Sequence, residues 1–467
     1  MAEKILMASA GRTRSLPLEG LNYFSITTRI GEQSLFKKVV MPGGILFKPG
    51  FGNTDTLPGE DLPAPPVVTI PLVQHQETPA RPIVKVGDHV AAGQMIGEAS
   101  GADGAAVHAS VSGMVTGVSR CRWERNPAAV SVTIESDGRD EFASPIPYDK
   151  PWMEAEPAEL IGKIKLSGIV DWNGSTGVPV HNKFAAAQGK KADTLIVNFL
   201  ATEPYCSAVP RQCAGQIEKL IAGIALCRKI VGAAQCVIVA GETTHRILQA
   251  AHKLEDITVV LVKKAKYPLH EERFVARAAM AAARPEAAVV ISAVAALEVR
   301  AAIEELTPSF MRTVTVAGPA VRSPKHLRQV RIGTSFKLLL EACGADFARA
   351  KKIVAGGPLS GTAVPDVEMP VTKATRALLA LDKTYFAEQQ HPCMGCRRCY
   401  AACPVRLEPA RLAKLAWTEN IRELENRGVM ECLECGCCAY VCPSKVNLVH
   451  HLIFGKSLVR AGKGELP

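Results

Sequence analysis

Aromatic side chains are scarce, at 5% of 467 residues. Any large core must therefore pack through aliphatic residues, and the stretch 278–304 is dense in Ala and Val. No long hydrophobic run is present either. The longest, 287–297, lies between Arg284-Pro285-Glu286 and Glu298, well short of the ~20 residues a membrane-spanning helix needs. The apolar stretch at 5–8 is too short for a secretory leader and follows an acidic residue. Neither a signal peptide nor a transmembrane helix is expected, so any membrane association should be peripheral and through a partner. A long basic run is also missing. The 55 basic and 45 acidic residues give a net charge of +10, which supports no nucleic-acid partner. An acidic protein or an anionic membrane surface accounts for the excess equally well. The 48% hydrophobic and 21% charged composition excludes a disordered or collagen-like chain, and the length allows about three domains.

Fifteen cysteines in a long chain without a leader do not make a disulfide framework. Six are scattered (Cys121, Cys206, Cys213, Cys227, Cys236, Cys343) and read as small buried hydrophobes. The others crowd together near the C-terminus, where the chemistry lies.

The chain changes texture along its length. Residues 1–36 carry few signals and read as an N-terminal extension. Residues 37–140 hold short Val- and Ile-rich runs punctuated by Pro and Gly, as in VVTIPLVQH and RPIVKVGDHV. Two strands with Gly turns and a loop between them form a small flattened barrel that resembles biotinyl and lipoyl carrier domains. Those carriers present a lysine at the hairpin. Here the loop reads His108-Ala109-Ser110, so the module is structural. Residues 155–304 alternate strand and helix: strands at 194–198, 236–241 and 257–262, and a helix at 216–231. That order predicts an α/β layer on a mostly parallel sheet. Short strands and one helix at 335–343 return in 305–382, which suits a small α+β unit. Residues 388–450 carry the crowded cysteines, 446–454 read as a helix, and 451–467 form a C-terminal tail.

Cys393, Cys396, Cys399 and Cys403-Pro404 are followed by Cys432, Cys435, Cys438 and Cys442-Pro443. Each run has the C-x2-C-x2-C-x3-C-P spacing of bacterial ferredoxins, in which the fourth cysteine of one run serves the other cluster. The expected ligand sets are Cys393, Cys396, Cys399 and Cys442 for one [4Fe-4S] cluster, and Cys432, Cys435, Cys438 and Cys403 for the second. A pair of zinc sites is the competing reading, but zinc has no use for a third cysteine at the same interval. Cys437 is out of register and reads as a packed thiol. Residues 408–427 between the runs read as one helix, and His450 and His451 as surface residues.

With these runs in view, residues 40–455 resemble the RnfC component of the Rnf electron-transport complex. The resemblance is carried by Gly43-Gly44-Ile45, Ile70-Pro71-Leu72-Val73-Gln74-His75 and the 86–94 and 107–113 runs. Arg331-Ile332-Gly333-Thr334, Gly356-Gly357-Pro358 and both cysteine runs complete it. It implies a multidomain α/β and α+β chain: a barrel-sandwich hybrid, a Rossmann-like flavoprotein-type domain, a β-grasp module and a two-cluster ferredoxin-like helical domain. It further implies a peripheral subunit on the cytoplasmic face of the membrane, part of an ion-translocating oxidoreductase with other Rnf-type subunits, some of them ferredoxin-like. FMN and NAD(H) are the cofactor and substrate implied for the second domain, and Gly174, Gly177, Glu203 and Tyr205 are the positions that fall on its binding motifs.

The sequence departs from the family in that region. A Gly-rich loop of the form G-x-G-G-A-G-F-P lets backbone N–H groups reach a phosphate. This chain has Asp171-Trp172-Asn173-Gly174-Ser175-Thr176-Gly177-Val178-Pro179, and its acidic stretch keeps only Glu203-Pro204-Tyr205. An inward-facing Asp171 would repel a phosphate. The departures imply a weakened or lost NADH site and leave FMN open. Electrons would then enter from another protein, such as a cytochrome or a dehydrogenase subunit. The alternatives are an FMN-containing NADH-oxidising subunit, a reductase for a corrinoid enzyme, and a docking scaffold with structural clusters.

Overall fold

The computed structural model describes residues 23–464, apart from 31–32, 49–50, 76–78, 124–125, 145–150, 173–176, 209–211, 214, 242–256, 284–286 and 383–389. A six-stranded sheet organises the middle of the chain. Four of its strands run parallel, in the order Ala288–Ser292, Thr194–Asn198, Gln235–Gly241 and Ile257–Lys263. These strands are rich in β-branched residues and both faces of the sheet are covered, so alternate residues enter opposite cores. Leu195 and Val197 face one core, and Ile196 faces the other. Helices Pro157–Leu166, Val180–Gly189, Ile217–Val231 and Ala293–Glu304 cover the first face. The second is covered by helix Glu272–Ala283 together with Ala402, Leu433, Cys435 and Cys437 from the C-terminal quarter.

The sheet is wider than the sequence indicates. Tyr23–Ile30 pairs antiparallel with Ile257–Lys263, and Gln33–Val40 pairs with it in turn. Part of the stretch expected as an N-terminal extension is therefore a hairpin on the sheet edge. Its ladder partner is remote in sequence, so local patterning alone does not reveal it. Residues 1–22 lie outside the described residues.

The expected barrel is built from two small sheets. One contains Val67–Pro71, Asn126–Ser136, Gly113–Trp123 and His89–Val90; the other contains Arg81–Pro82, Met95–Glu98 and Val107–His108. They close around Val68, Ile70, Ile96, Val115 and Ile134. His108, Ala109 and Ser110 are buried, and the Ser110 hydroxyl donates to the carbonyl of Ile332. A buried hairpin of this kind cannot swing a prosthetic group. A third, mixed sheet runs Thr362–Ala363, Lys352–Ala355, Ala377–Leu381, Met311–Ala317 and Lys325–Arg331, and ends on Gly59–Asp61, a strand contributed by the barrel-bearing stretch. Helix Phe336–Ala342 fills its core with Phe336, Leu339 and Leu340.

Two expectations for the C-terminal quarter need correction. Residues 408–427 are two helices, Pro409–Trp417 and Ile421–Asn426. Glu419 adopts a φ of +51°, and the Asn420 side chain accepts the Glu423 N–H, which stops the first helix and caps the second. The helix expected over 446–454 also continues through most of the supposed tail. Leu448–Gly462 packs against both helices and buries Leu452, Lys456 and Val459.

His108 lies at the seam between barrel and α/β domain, bonded to the backbone of Leu166. Burial first, and then the Lys373 charge, lowers its pKa from 6.5 to about 3. Lys373 is itself buried, donating to the carbonyls of Ala106 and Gly168. Between pH 3 and 6.5 the unfolded chain takes up a proton on this histidine that the folded chain refuses, so stability falls on acidification. Urea titrations across this range should show a shallower pH slope for His108→Asn than for the parent, by up to ~1.4 kcal/mol per pH unit. Equal slopes would place the histidine in solvent.

Candidate functional site

The short helices Arg398–Ala402 and Cys437–Tyr440 pack side by side. Each cysteine run passes through one of these turns before reaching its last cysteine. Their contact carries Cys403 out of its own run, so that Cys403, Cys432, Cys435 and Cys438 line a single cavity. Leu407, Leu433, Val449 and Leu452 supply its apolar wall. Cys403, Cys435 and Cys438 are 7–8% exposed. Backbone N–H groups of Leu407 and Glu434 point at the sulfurs of Cys403 and Cys432, at 3.3 and 3.4 Å. Desolvation pushes the Cys432 thiol up to about 12 and raises Cys438 and Cys403 as well. A metal centre supplies the positive charge that thiolates in such a wall need. Among the described residues no three His, Cys, Asp or Glu side chains stand close enough to share a single metal ion. Four thiols distributed around a cavity fit the donor set of a cubane cluster. Cys437 is fully buried on the same wall, with its thiol hydrogen-bonded to the Cys435 sulfur.

The first run lies at the surface. Cys393 and Cys396 are exposed and Cys399 is half-buried. The pKa of Cys399 is raised by desolvation and then by the neighbouring Cys393 and Cys396, while N–H groups of Ala410 and Tyr400 favour its thiolate. Cys442 is half-buried and packs against the same hydrophobic core as Cys399.

Three supports of the buried cavity are absent from any local motif. The Tyr267 hydroxyl donates to the Cys435 carbonyl at 2.6 Å from the back face of the α/β sheet. Lys456 donates to the Cys432 carbonyl at 3.0 Å and to Glu434. The Gly44 N–H donates to the Ala402 carbonyl at 2.9 Å. Tyr267 follows a strand and Lys456 falls in the supposed tail, so neither carries a sequence signal of its role. Gly44 belongs to the Gly43-Gly44-Ile45 string, whose purpose only this contact discloses.

The expected flavin region is occupied differently. Gly174 lies outside the described residues. Gly177 pairs with Trp172 across a short hairpin of Val170–Trp172 and Gly177–Pro179, and a Cβ on it would stand 2.5 Å from the indole, so the glycine makes room for the tryptophan. Asp171 does face inward. Its Oδ2 accepts from Lys183 Nζ at 3.0 Å and from the Ser292 N–H at 3.1 Å, while its Oδ1 has no partner. Lys183 Nζ also donates to Glu272 at 2.7 Å and to the Val290 carbonyl. Burial alone would lower the Lys183 pKa, but Asp171 and Glu272 outweigh it and hold the ammonium above the ordinary lysine range. Asp171, Lys183 and Glu272 therefore form a carboxylate–ammonium–carboxylate array. Glu203 is buried and turned toward the third sheet, where it accepts from the N–H groups of Leu359 and Ser360 and from the Ser360 hydroxyl. The glycine at 357 permits that approach, because a Cβ there would lie 2.1 Å from the Glu203 carboxyl carbon. Tyr205 has a φ of +66° and packs edge-on to Phe51.

Replacing Lys183 with Met leaves two carboxylates facing each other without a cation. It should cost about 3–5 kcal/mol in urea unfolding, most of it recovered in the Asp171→Asn, Lys183→Met double variant. A loss below about 1 kcal/mol would mean that the array is solvated.

Three family models match the chain in succession: the RnfC barrel sandwich hybrid domain over residues 39–139, the Nuo51 FMN-binding domain over 164–301, and the 4Fe-4S dicluster domain over 386–443. The C subunit of the proton-translocating ferredoxin:NAD(+) oxidoreductase complex of Clostridium ljungdahlii is 32% identical over 380 residues, covering 79% of this chain and 83% of that protein. The C subunit of the Na(+)-translocating ferredoxin:NAD(+) oxidoreductase complex of Acetobacterium woodii is 32% identical over 382 residues, covering 79% and 85%. The C subunit of the ion-translocating oxidoreductase complex of Rhodobacter capsulatus is 30% identical over 367 residues, covering 76% and 70%. A relationship of this depth across most of each chain, with the barrel, α/β and dicluster models matched in succession, makes this protein a member of the RnfC family.

Proposed function

We propose that this chain is the peripheral iron–sulfur subunit of an Rnf-type membrane complex, passing electrons one at a time through two [4Fe-4S] clusters while the complex moves ions. The observation that carries the reading is Cys403 on the cavity wall of the second run, the exchange of a fourth ligand that two-cluster ferredoxins use. Cys393, Cys396, Cys399 and Cys442 would hold the outer cluster, and Cys432, Cys435, Cys438 and Cys403 the inner one. The domain reading is a barrel-sandwich hybrid at 37–140, a Rossmann-like α/β domain at 155–304, a β-grasp module at 305–382 and the dicluster unit at 388–450. The partners proposed are the other subunits of such a complex and a redox donor or acceptor protein, met on the cytoplasmic face. Among the described residues no helix is long and apolar enough to cross a membrane.

The Asp171–Lys183–Glu272 array and the engagement of Glu203 within the fold favour a weakened NADH site. A second reading, in which the chain binds FMN and itself exchanges a hydride with NAD, is favoured by the match to the Nuo51 FMN-binding domain; a flavin there would convert two-electron into one-electron transfer.

Anaerobically purified protein should contain about eight iron and eight acid-labile sulfide per chain. Cys403→Ser should disturb the low-temperature EPR signal of one cluster and leave the other. Bound zinc without sulfide would end the proposal. For the nucleotide site, dithionite should bleach the cluster absorbance and NADH should not. Rapid bleaching by NADH, with flavin released on denaturation, would establish the second reading instead.

A further inference from the structure

The two cysteine sets differ sharply in their access to solvent. Cys403, Cys435 and Cys438 are buried and Cys432 is half-buried, whereas Cys393, Met394, Cys396, Arg397, Arg398 and Tyr400 are all exposed. Helix Pro409–Trp417 abuts this collar through the Ala410 N–H on Cys399 and through packing against helix Arg398–Ala402. It turns Arg411, Lys414 and Trp417 to solvent, and Arg406 is exposed beside it. Residues 391–417 hold five cations and one carboxylate. That carboxylate, Glu408, is shared between Arg411 and Arg427. Arg397, Arg398, Arg406 and Lys414 have no ion-pair partner among the described residues. Unpaired cations around an exposed pair of thiols are an electrostatic funnel centred on the place where electrons leave or enter.

We propose that this collar is the docking face for an acidic one-electron carrier protein, whose carboxylates surround its own redox centre. The proposal rests on the cluster reading above. Electron tunnelling weakens steeply with distance, so a carrier must approach the exposed set, and complementary charge speeds and orients that approach. Anionic lipid would satisfy the same cations. It brings no redox centre to the thiols in the middle of the patch, and the protein carrier is therefore the occupant favoured.

The test uses the full chain with its iron and sulfide in place and a purified acidic 2[4Fe-4S] ferredoxin as the probe. Stopped-flow electron exchange with dithionite-reduced ferredoxin should slow about tenfold or more between ~50 and ~500 mM salt. The Arg411→Glu, Lys414→Glu double variant lies outside both cysteine runs. It should lower the low-salt rate about tenfold and flatten its salt dependence. Surface plasmon resonance should show ferredoxin binding weakened to a similar extent, with iron, sulfide and EPR signals unchanged. Arg398→Glu should add to the loss. Rates and binding that ignore the charge reversals would overturn the proposal. So would variants that lose affinity for phosphatidylglycerol vesicles while keeping the ferredoxin rate, which would assign the face to a membrane. Parent protein without iron would instead refute the cluster reading, and the binding measurement would still report on the charged face.

Discussion

A cavity walled by four thiols can be kept from water only if something larger than the cysteine runs closes it. Here the back face of the α/β sheet does so. Cys435 and Cys437 share one core with Ile196, Val237, Val260 and Phe274, and the Tyr267 hydroxyl fastens the loop by its Cys435 carbonyl. The C-terminal helix closes the other side with Lys456 on the Cys432 carbonyl. An unsatisfied carbonyl in that setting would be costly, so these two hydrogen bonds set the loop in one place. The inner cavity is thereby tied to the α/β domain, and the outer cysteines are left at the surface.

The same need for closure explains the strings that mark the family. Nearly all of them lie on seams between units. Gly44 bonds Ala402, and Gln74 accepts the Lys373 N–H. Arg331 donates to the Ser110 carbonyl and sits over the rings of Phe142 and Phe310, while the turn at Gly357 receives Glu203. A file of rings, Tyr205, Phe51, Phe47 and Tyr267, with successive centroids 5.6–6.3 Å apart, runs along the junction of the α/β domain with the cysteine unit. Aromatics are few in this chain, and several of them gather at this junction.

Around Asp171, charge is managed internally. Burying Asp171 would be prohibitive by itself, and Lys183 makes it tolerable by bonding to it, to Glu272 and to the Val290 carbonyl at once. The array lies within the stretch that matches the Nuo51 FMN-binding domain.

The sequence alone determined the periodic parts: the parallel strands, the long helices, the barrel texture and the cysteine spacing, because each is a local pattern with a period that chemistry enforces. It also marked the drift at Asp171 and the acids missing around Glu203. It did not reveal the Tyr23–Val40 hairpin, whose ladder partner is remote, nor the break at Glu419, which depends on a backbone conformation at one residue. The helix expected over 446–454 runs on to Gly462, because Leu452 and Val459 find their core on helices that precede them in the chain. Whether Asp171 met solvent or an ammonium, which cysteine run was buried and which exposed, and what Tyr267 was for were decided by tertiary structure. Those are questions of who lies opposite whom, and proximity between distant residues is a property of the packed chain.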